Sequence, residues 1–416
     1  MKKTIWIMNH YAGNMFFDRG GRHYNFAKFL KIAGYSPVVF CANSKHNAKG
    51  HWFDVEPTWQ EHTAEEIGVP FVFVSARSYV GNGKQRILNM ADFFTNVQKA
   101  AKEYAAQNGK PDIIYASSVH PLTLIAGIRL AKRYGVECVC EVRDLWPESL
   151  VAYGMLPRNN PITKALYLGE KWIYKKADRL IMTWPGGWDY ICQRGWDRAI
   201  PQKKVTHIDN GVDLAAFLEN AGNPIEDADL ADTAHFKAVY TGSIRKVNNL
   251  QLLVDAAKIL HQRGNDSVKI LVYGDGDERE FLTSQCAQLP NILFKGRVPK
   301  TAVPYVLSQA DVSILHNSRS ILDQYGQSQN KFFEYLAAGR PVLMTDSVGH
   351  SVCKARNCGL ELEDQTPEAV ADALEALAAL PKAEYLTYCD NARTAAVDYD
   401  FANLTKKLIG VLEGSK

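Results

Sequence analysis

Short apolar runs alternate with amphipathic segments along almost the whole chain, and this alternation restricts the fold more than any other feature. It reads KTIWIMN, NFAKFLKIAG, SPVVFCA, NMADFFTNVQKAAKEYAAQ, DIIYASS, LIAGIRLAKRYG, ECVCEVRD and ADRLIMTW, strand and helix in turn. Such a rhythm predicts parallel sheets assembled from right-handed strand–helix–strand units. It breaks near KVTHIDNGVDLAAF and restarts with FKAVYTG, LQLLVDAAKILHQRG, VKILVYGDGD, NILFKG, VPYVLSQA, DVSILHN, NKFFEYLAAG and PVLMTD, which predicts a second doubly wound domain. The turn-prone Asn210-Gly211 pair lies at the break. A helix PEAVADALEALAAL and a final one, DFANLTKKLIGVLEG, follow.

Length leads to the same division, because 416 residues exceed what one hydrophobic core normally serves. We expect an α/β architecture of two Rossmann-like domains, over residues 1–206 and 207–395, with residues 396–416 forming a helix that packs back on the first domain. Ligands of such folds sit at the carboxyl ends of the strands, here in a cleft between the two domains.

A hydrophobic content of 46% with 22% charged residues is that of an ordinary globular chain and excludes disorder. The opening MKKTIWIMNHYAGN has the lysines of a signal peptide, but Asn9 and His10 cut its apolar run short, so it reads as a first strand. No stretch of about 18 apolar residues occurs, so a membrane-spanning helix is not expected. The eight cysteines show no CxxC pair or repeated spacing, so neither zinc nor a disulfide framework is expected and a reducing cytoplasm fits. Cys138 and Cys140 would share one face of a strand as small buried hydrophobes.

Charge is divided unevenly. Over residues 1–208, 28 Lys and Arg stand against 17 Asp and Glu, a net +11, and the remainder carries 20 against 28, a net −8. A basic amino-terminal half suits an anionic membrane surface or an anionic substrate. Nothing in the motifs points to nucleic acid.

Six segments carry the chemistry. In NHYAGNMFFDRGGRHYNFAKFL, Gly20 and Gly21 precede a helix starting around Arg22, where glycines let backbone N–H groups approach a ligand and Arg19 and Arg22 add charge. YASSVHP ends a strand and presents His120, and EVRDLWPES delivers Arg143 and Asp144 beside it. In YTGSIRKVNNLQLL, Gly242, Ser243, Arg245 and Lys246 lie between a strand and a helix, the arrangement a diphosphate needs as leaving-group charge develops. Gly274, Asp275 and Gly276 form a turn after the next strand; a lone GxG is weak evidence for a dinucleotide. In YGQSQNKFFEYLAAGRPVLMTD, Ser328, Gln329, Asn330 and Lys331 begin a helix whose N-terminus suits phosphate. Glu334, one turn in, suits the two vicinal hydroxyls of a ribose. Each loop also has an ordinary reading, as a tight turn, a solvated basic surface or a favourable helix-dipole charge.

Taken in order, GGRHYNFAKFL, SSVHP, EVRDLWPES, HIDNGVD, YTGSIRK, YGDGD and SQNKFFEYLAAGRPV resemble the retaining GT-B glycosyltransferases of family 4 over nearly the whole chain. RDLWPES and SQNKFFEYLAAGRPV resemble especially the branch that builds bacterial surface polysaccharides. The resemblance implies transfer of a hexose-type sugar from a UDP- or GDP-sugar to a lipid-linked or saccharide acceptor, with retention of configuration and without metal or other cofactor. His120 would hydrogen-bond a donor-sugar hydroxyl near the reacting carbon, Glu334 would hold the ribose, and Arg245 and Lys246 would neutralise the diphosphate. Gly242, Ser243, Gly274, Asp275, Gly276, Gly326, Gln329, Asn330 and Lys331 would line the donor site in the second domain. Gly20, Gly21, Arg22, Arg143 and Asp144 would face the acceptor from the first.

The chain departs from the family pattern at two places. Gly326 stands where many members carry a glutamate, eight residues before Glu334, and Ser243 and Asn248-Asn249 replace the usual Arg and Lys-Gly. An epimerase of the same architecture, or a weakly active sugar-nucleotide-binding subunit, are the alternatives. The segment KALYLGEKWIYKKADRL, with Lys171, Lys175, Lys176, Trp172 and Tyr174, suits peripheral attachment to the cytoplasmic face of a membrane.

Overall fold

The computed structural model describes residues 3–54, 58–81, 83–118 and 120–414. The chain divides into two compact units, residues 1–209 with 401–416, and residues 210–400.

The first unit is built on a sheet of eight strands: β1 Thr4–Met8, β2 Ser36–Ala42, β3 Trp59–Ala64, β4 Val69–Val74, β5 Ile113–Ser117, β6 Glu137–Val142, β7 Arg179–Met182 and β8 Val205–His207. Their order is β3-β4-β2-β1-β5-β6-β7-β8, and all neighbours are parallel except the β3–β4 pair. β1 and β5 are buried along almost their whole length, the pattern of central strands covered by helices on both faces. The antiparallel β3 was not legible in the sequence, because WQEHTA is polar and half exposed, as an edge strand is free to be. Cys138 and Cys140 do share one face of β6, buried as free thiols with their sulfurs 3.7 Å apart.

The helix Phe401–Glu413 belongs to this unit rather than to the residues preceding it. Phe401 meets Phe26 edge-on at 5.4 Å, and the Tyr35 hydroxyl bonds Glu413. Its buried face of Leu404, Leu408 and Leu412 recurs every four residues and joins the core around Ile5, Val39 and Tyr115.

A buried carboxyl lies within the helix Pro161–Lys176. Glu170 accepts hydrogen bonds from Tyr174 (2.7 Å) and Tyr190 (2.8 Å), and burial pushes its pKa up to about 8. Tyr174 is therefore a core residue, 2% exposed, and not part of the amphipathic surface expected of this segment. Trp172, Leu168 and Ile162 do face outward, alongside exposed Lys164, Lys175 and Lys176. Between about pH 4.3, where an unfolded glutamate ionises, and about pH 8, the folded state holds a proton that the unfolded chain releases, so Glu170 lowers stability as pH rises. Glu170→Gln should flatten that decline: melting temperatures of the two proteins should converge near pH 5 and favour the variant above pH 8. Parallel melting curves would show that Glu170 does not hold this proton.

The second unit contains a six-stranded, wholly parallel sheet: β9 Phe236–Thr241, β10 Val268–Tyr273, β11 Ile292–Gly296, β12 Val312–Leu315, β13 Val342–Met344 and β14 Gly359–Glu361. The order is β11-β10-β9-β12-β13-β14. The loops leaving β9 and β10 are joined backbone to backbone, Gly242 N–H donating to Tyr273 O (3.0 Å) and Ile244 N–H to Asp275 O (3.0 Å). This explains two of the glycines: a Cβ on Gly274 would stand 1.7 Å from Gly242 O, and one on Gly276 2.1 Å from Ile244 O. The helix Lys382–Asp398 escaped the sequence reading because its apolar residues have almost no helical periodicity.

Candidate active site

In a doubly wound sheet the ligand crevice opens where the direction of the crossovers reverses. That point lies between β1 and β5 in the first sheet and between β9 and β12 in the second. The loops leaving these four strands hold residues 20–22, His120, residues 242–246 and residues 326–331, so most of the predicted site residues stand at the two switch points.

In the first unit, His120 is the N-cap of the helix Pro121–Tyr134 and is 1% exposed. Its Nε2 lies 2.7 Å from Nδ1 of His10, two residues beyond the end of β1. Burial and the nearby Arg86 charge push the His120 pKa down to about 3, so the ring is neutral. Among the described residues its buried Nδ1 has no hydrogen-bond partner. Arg143 leaves β6 beside it: its N–H donates to Ser118 Oγ (3.1 Å), and its carbonyl accepts from Trp184 Nε1 (2.7 Å). Burial raises the Asp144 pKa, with the Arg143 and Arg86 charges opposing.

Arg22 corrects an expectation. Its guanidinium is 1% exposed, pairs with Glu141 (2.7 and 2.8 Å) and donates to the carbonyls of Ile208 and Asp209. Glu141 also accepts from Ser117 Oγ (2.7 Å), His23 Nε2 (3.0 Å) and the Tyr115 hydroxyl. With its donors spent in this way, Arg22 holds the end of β8 instead of meeting an acceptor. Gly21, at φ 96°, caps the start of the Arg22–Ile32 helix, and Gly20 N–H donates to Met15 O (3.2 Å), so both glycines serve the turn.

In the second unit, Arg245 and Lys246 are exposed on a short 3-10 turn, and no ion pair holds either among the described residues. Ser243 Oγ donates to Asn248 (2.9 Å), and Asp275 accepts from Gly276 N–H (2.9 Å). The helix Asn330–Ala337 begins two residues later than its Ser328 start in the sequence reading; Ser328 instead accepts from Asn210 N–H (2.8 Å). Gln329, the N-cap residue, gives the helix no side-chain cap and donates to Gln327, so the first N–H groups stay open to an anion. Lys331 is bound into the same corner: Nζ lies 3.3 Å from His316 O and 4.5 Å over the Tyr240 ring, whose hydroxyl donates to Ser243 O (3.1 Å). Burial brings the Lys331 pKa down to about 8.

Glu334 is half-buried, its pKa raised by burial with the Lys300 charge opposing, and no side-chain hydrogen bond occupies it among the described residues. Gly326 ends the 3-10 turn Ile321–Tyr325 at φ 82° and ψ −173°, a conformation that strains any residue with a Cβ. A glutamate is therefore disfavoured there by the backbone itself. The sequence reading passed over Asp346, which follows β13: its Oδ2 accepts from Gln327, Oδ1 is buried without a partner among the described residues, and burial pushes its pKa up to about 6. A polar residue directly after an apolar strand was the available signal, as it was for His10.

Residues 22–216 match the family model described as Glycosyltransferase Family 4, and residues 235–379 match that described as Glycosyl transferases group 1. Among curated proteins, the chain is 22% identical over 255 residues to "Probable glycosyltransferase WbjE" of Pseudomonas aeruginosa, a match over 58% of this chain and 59% of that protein. The chain thus spans less than two thirds of that relative. Among solved structures it superposes on sucrose-phosphate synthase from Thermosynechococcus elongatus with a TM-score of 0.72 at 18% identity, covering 100% of both chains. It also superposes on Anabaena Alr3699/HepE in complex with UDP-glucose, with a TM-score of 0.65 at 14% identity over 99% of this chain and 100% of the other. The fold is GT-B, and the chain carries two glycosyltransferase domain models in the order of its two units.

Proposed function

We propose that the protein is a retaining glycosyltransferase of surface-polysaccharide synthesis, moving a hexose-type sugar from a UDP- or GDP-sugar to a lipid-linked or saccharide acceptor. The observation that carries this reading is Glu334, a half-buried carboxylate with no side-chain hydrogen bond among the described residues, one turn into a helix whose uncapped N-terminus also holds Lys331. A carboxylate accepts from both hydroxyls of a ribose, and an open helix N-terminus with a half-buried ammonium favours phosphate. UDP-glucose in the structurally similar HepE supports a nucleotide-sugar donor. Arg245 and Lys246, exposed and without ion-pair partners among the described residues, supply further charge for the diphosphate.

In this mechanism the donor's pyrophosphate is neutralised in the second unit while His120 binds a hydroxyl of the transferred sugar. The leaving phosphate oxygen takes the acceptor's proton on the same face, so no covalent nucleophile and no cofactor take part. The acceptor belongs to the first unit, where a cavity of about 160 Å³ is lined by Leu122, Ile125, Trp146, Pro147, Ile173 and Asp144. Its apolar walls suit the hydrocarbon part of a lipid-linked acceptor, and the cationic and apolar outer face of the helix Pro161–Lys176 suits an anionic membrane. No helix among the described residues is long and apolar enough to cross one.

Incubation with nucleotide sugars and a lipid-linked acceptor should give an acceptor heavier by one hexose. A donor epimerised without acceptor, or nucleotide bound with no product, would overturn the reading. Sedimentation with anionic vesicles should carry the protein down at low salt and release it at high salt; failure to sediment at low salt would remove the membrane from the account.

A further inference from the structure

We propose that the first unit carries an anion site apart from the candidate active site: a groove between the helices Lys84–Asn108 and Pro121–Tyr134 that takes a ligand bearing two or more phosphate groups. The groove has a volume of about 350 Å³. Gln98, Lys99 and Lys102 line it from the first helix, and Arg129, Leu130 and Arg133 from the second. The lining thus holds two lysines and two arginines and no acid.

Lys99 and Lys102 stand three residues apart and Arg129 and Arg133 four apart, so each helix turns two cations to one side. Like charges at this spacing destabilise a helix, and here two such pairs meet across one groove. Among the described residues, no salt bridge relieves any of the four. The acids on and beside the two helices are spent elsewhere. Asp92 pairs with Arg77 (2.6 Å), Glu103 accepts from Trp59 Nε1 (2.9 Å), Asp112 accepts from Thr4 N–H (2.7 Å), and Glu137 pairs with Arg179 (2.7 Å).

Arg133 lies in the last turn of its helix, where a cation meets the negative end of the dipole. That reason does not extend to Arg129, a turn earlier, nor to Lys99 and Lys102, which precede the last turn of the other helix. Arg129 is moreover held in place, its guanidinium 5.1 Å over the Phe94 ring. The Gln98 amide donates to Phe94 O (2.8 Å), so the groove wall is ordered on that side as well. An occupant that balances four cations in so small a volume must bring several negative charges close together. Linked phosphates do this, and the planar fork of an arginine grips each one through two N–H groups.

His120 caps the start of the helix Pro121–Tyr134, and at 1.5 Å per residue Arg129 and Arg133 lie roughly 14 and 20 Å further along its axis. The groove therefore lies towards the amino ends of β5 and β6, away from the strand ends that carry the candidate active site. It stands whether or not the chain transfers sugar.

Calorimetric titration of the intact chain with inorganic pyrophosphate tests the site. The proposed donor site would also take pyrophosphate, so the groove is read by difference. One class of binding should weaken at least tenfold in Lys102→Gln/Arg129→Gln, and equally in Lys99→Gln/Arg133→Gln, while persisting in Lys331→Ala. All four groove residues are exposed, so neither double variant should disturb the fold. Wild-type and groove-variant isotherms that superimpose, or pyrophosphate binding that vanishes altogether in Lys331→Ala, would overturn the proposal. Sedimentation of the same variants with phosphatidylcholine vesicles containing phosphatidylglycerol separates two sources of the phosphate. Unchanged sedimentation beside lost pyrophosphate binding assigns the groove to a soluble phosphate ligand, and loss of both assigns it to lipid headgroups.

Discussion

On the proposed function, His120→Ala should cut turnover about 100-fold while leaving the dissociation constant for the nucleotide within about twofold, because the contact proposed for His120 is to the sugar at the reacting carbon and the nucleotide is assigned to the other unit. The separation of the two effects matters more than the size of the first. His120 is an N-cap whose side chain makes no capping bond, so the helix Pro121–Tyr134 loses little when the ring is removed. Its first residue is proline, which needs no N–H partner. Steady-state kinetics and nucleotide titration on the same preparation decide the matter. A loss confined to the Michaelis constant for donor would move His120 from the reacting centre to simple binding.

Arg22→Ala should destabilise the amino-terminal unit by about 3–5 kcal/mol, since it leaves the Glu141 carboxylate buried with its principal countercharge removed. Tryptophan fluorescence follows this unit alone, because all eight tryptophans precede residue 210. The urea midpoint of that signal should fall. The burden should be pH-dependent: Arg22 and His23 hold Glu141 well below the ordinary carboxylate range, so the stabilisation is present above about pH 4.3 and drains away as pH falls towards the depressed value. Wild type and variant should accordingly draw together in acid. A loss below about 1 kcal/mol at neutral pH would mean that water or a rearranged cation takes the place of Arg22.

The two cases show what a sequence discloses and what it withholds. Apolar runs such as TIWIM and VKILVY announce central strands because burial on both faces leaves no room for polar residues, and the chemistry-bearing loops then fall at the strands' carboxyl ends by topology alone. The placement of His120, Lys331 and Glu334 just beyond strand ends was legible in that way. Arg22 was misread because a cation after paired glycines looks the same whether it awaits an anion or already has one; its partner lies 119 residues away, at the end of β6. His10 was passed over for a related reason. A polar residue after a strand acquires meaning only when packing brings it against another side chain, here that of His120. At Gly326 the departure from the family's glutamate looked like a missing function, but the backbone at φ 82° is a local reason for glycine.

Calorimetric titration of the intact chain with UDP, set beside the same titration of Glu334→Ala, probes the proposed donor site most directly. Hydrogen bonds to a charged group contribute about 1.5–3 kcal/mol, so the variant should bind UDP roughly ten- to a hundredfold more weakly while retaining its fold. Equal affinities in the two proteins would remove Glu334 from the nucleotide, and with it the assignment of the second unit as the donor-binding half.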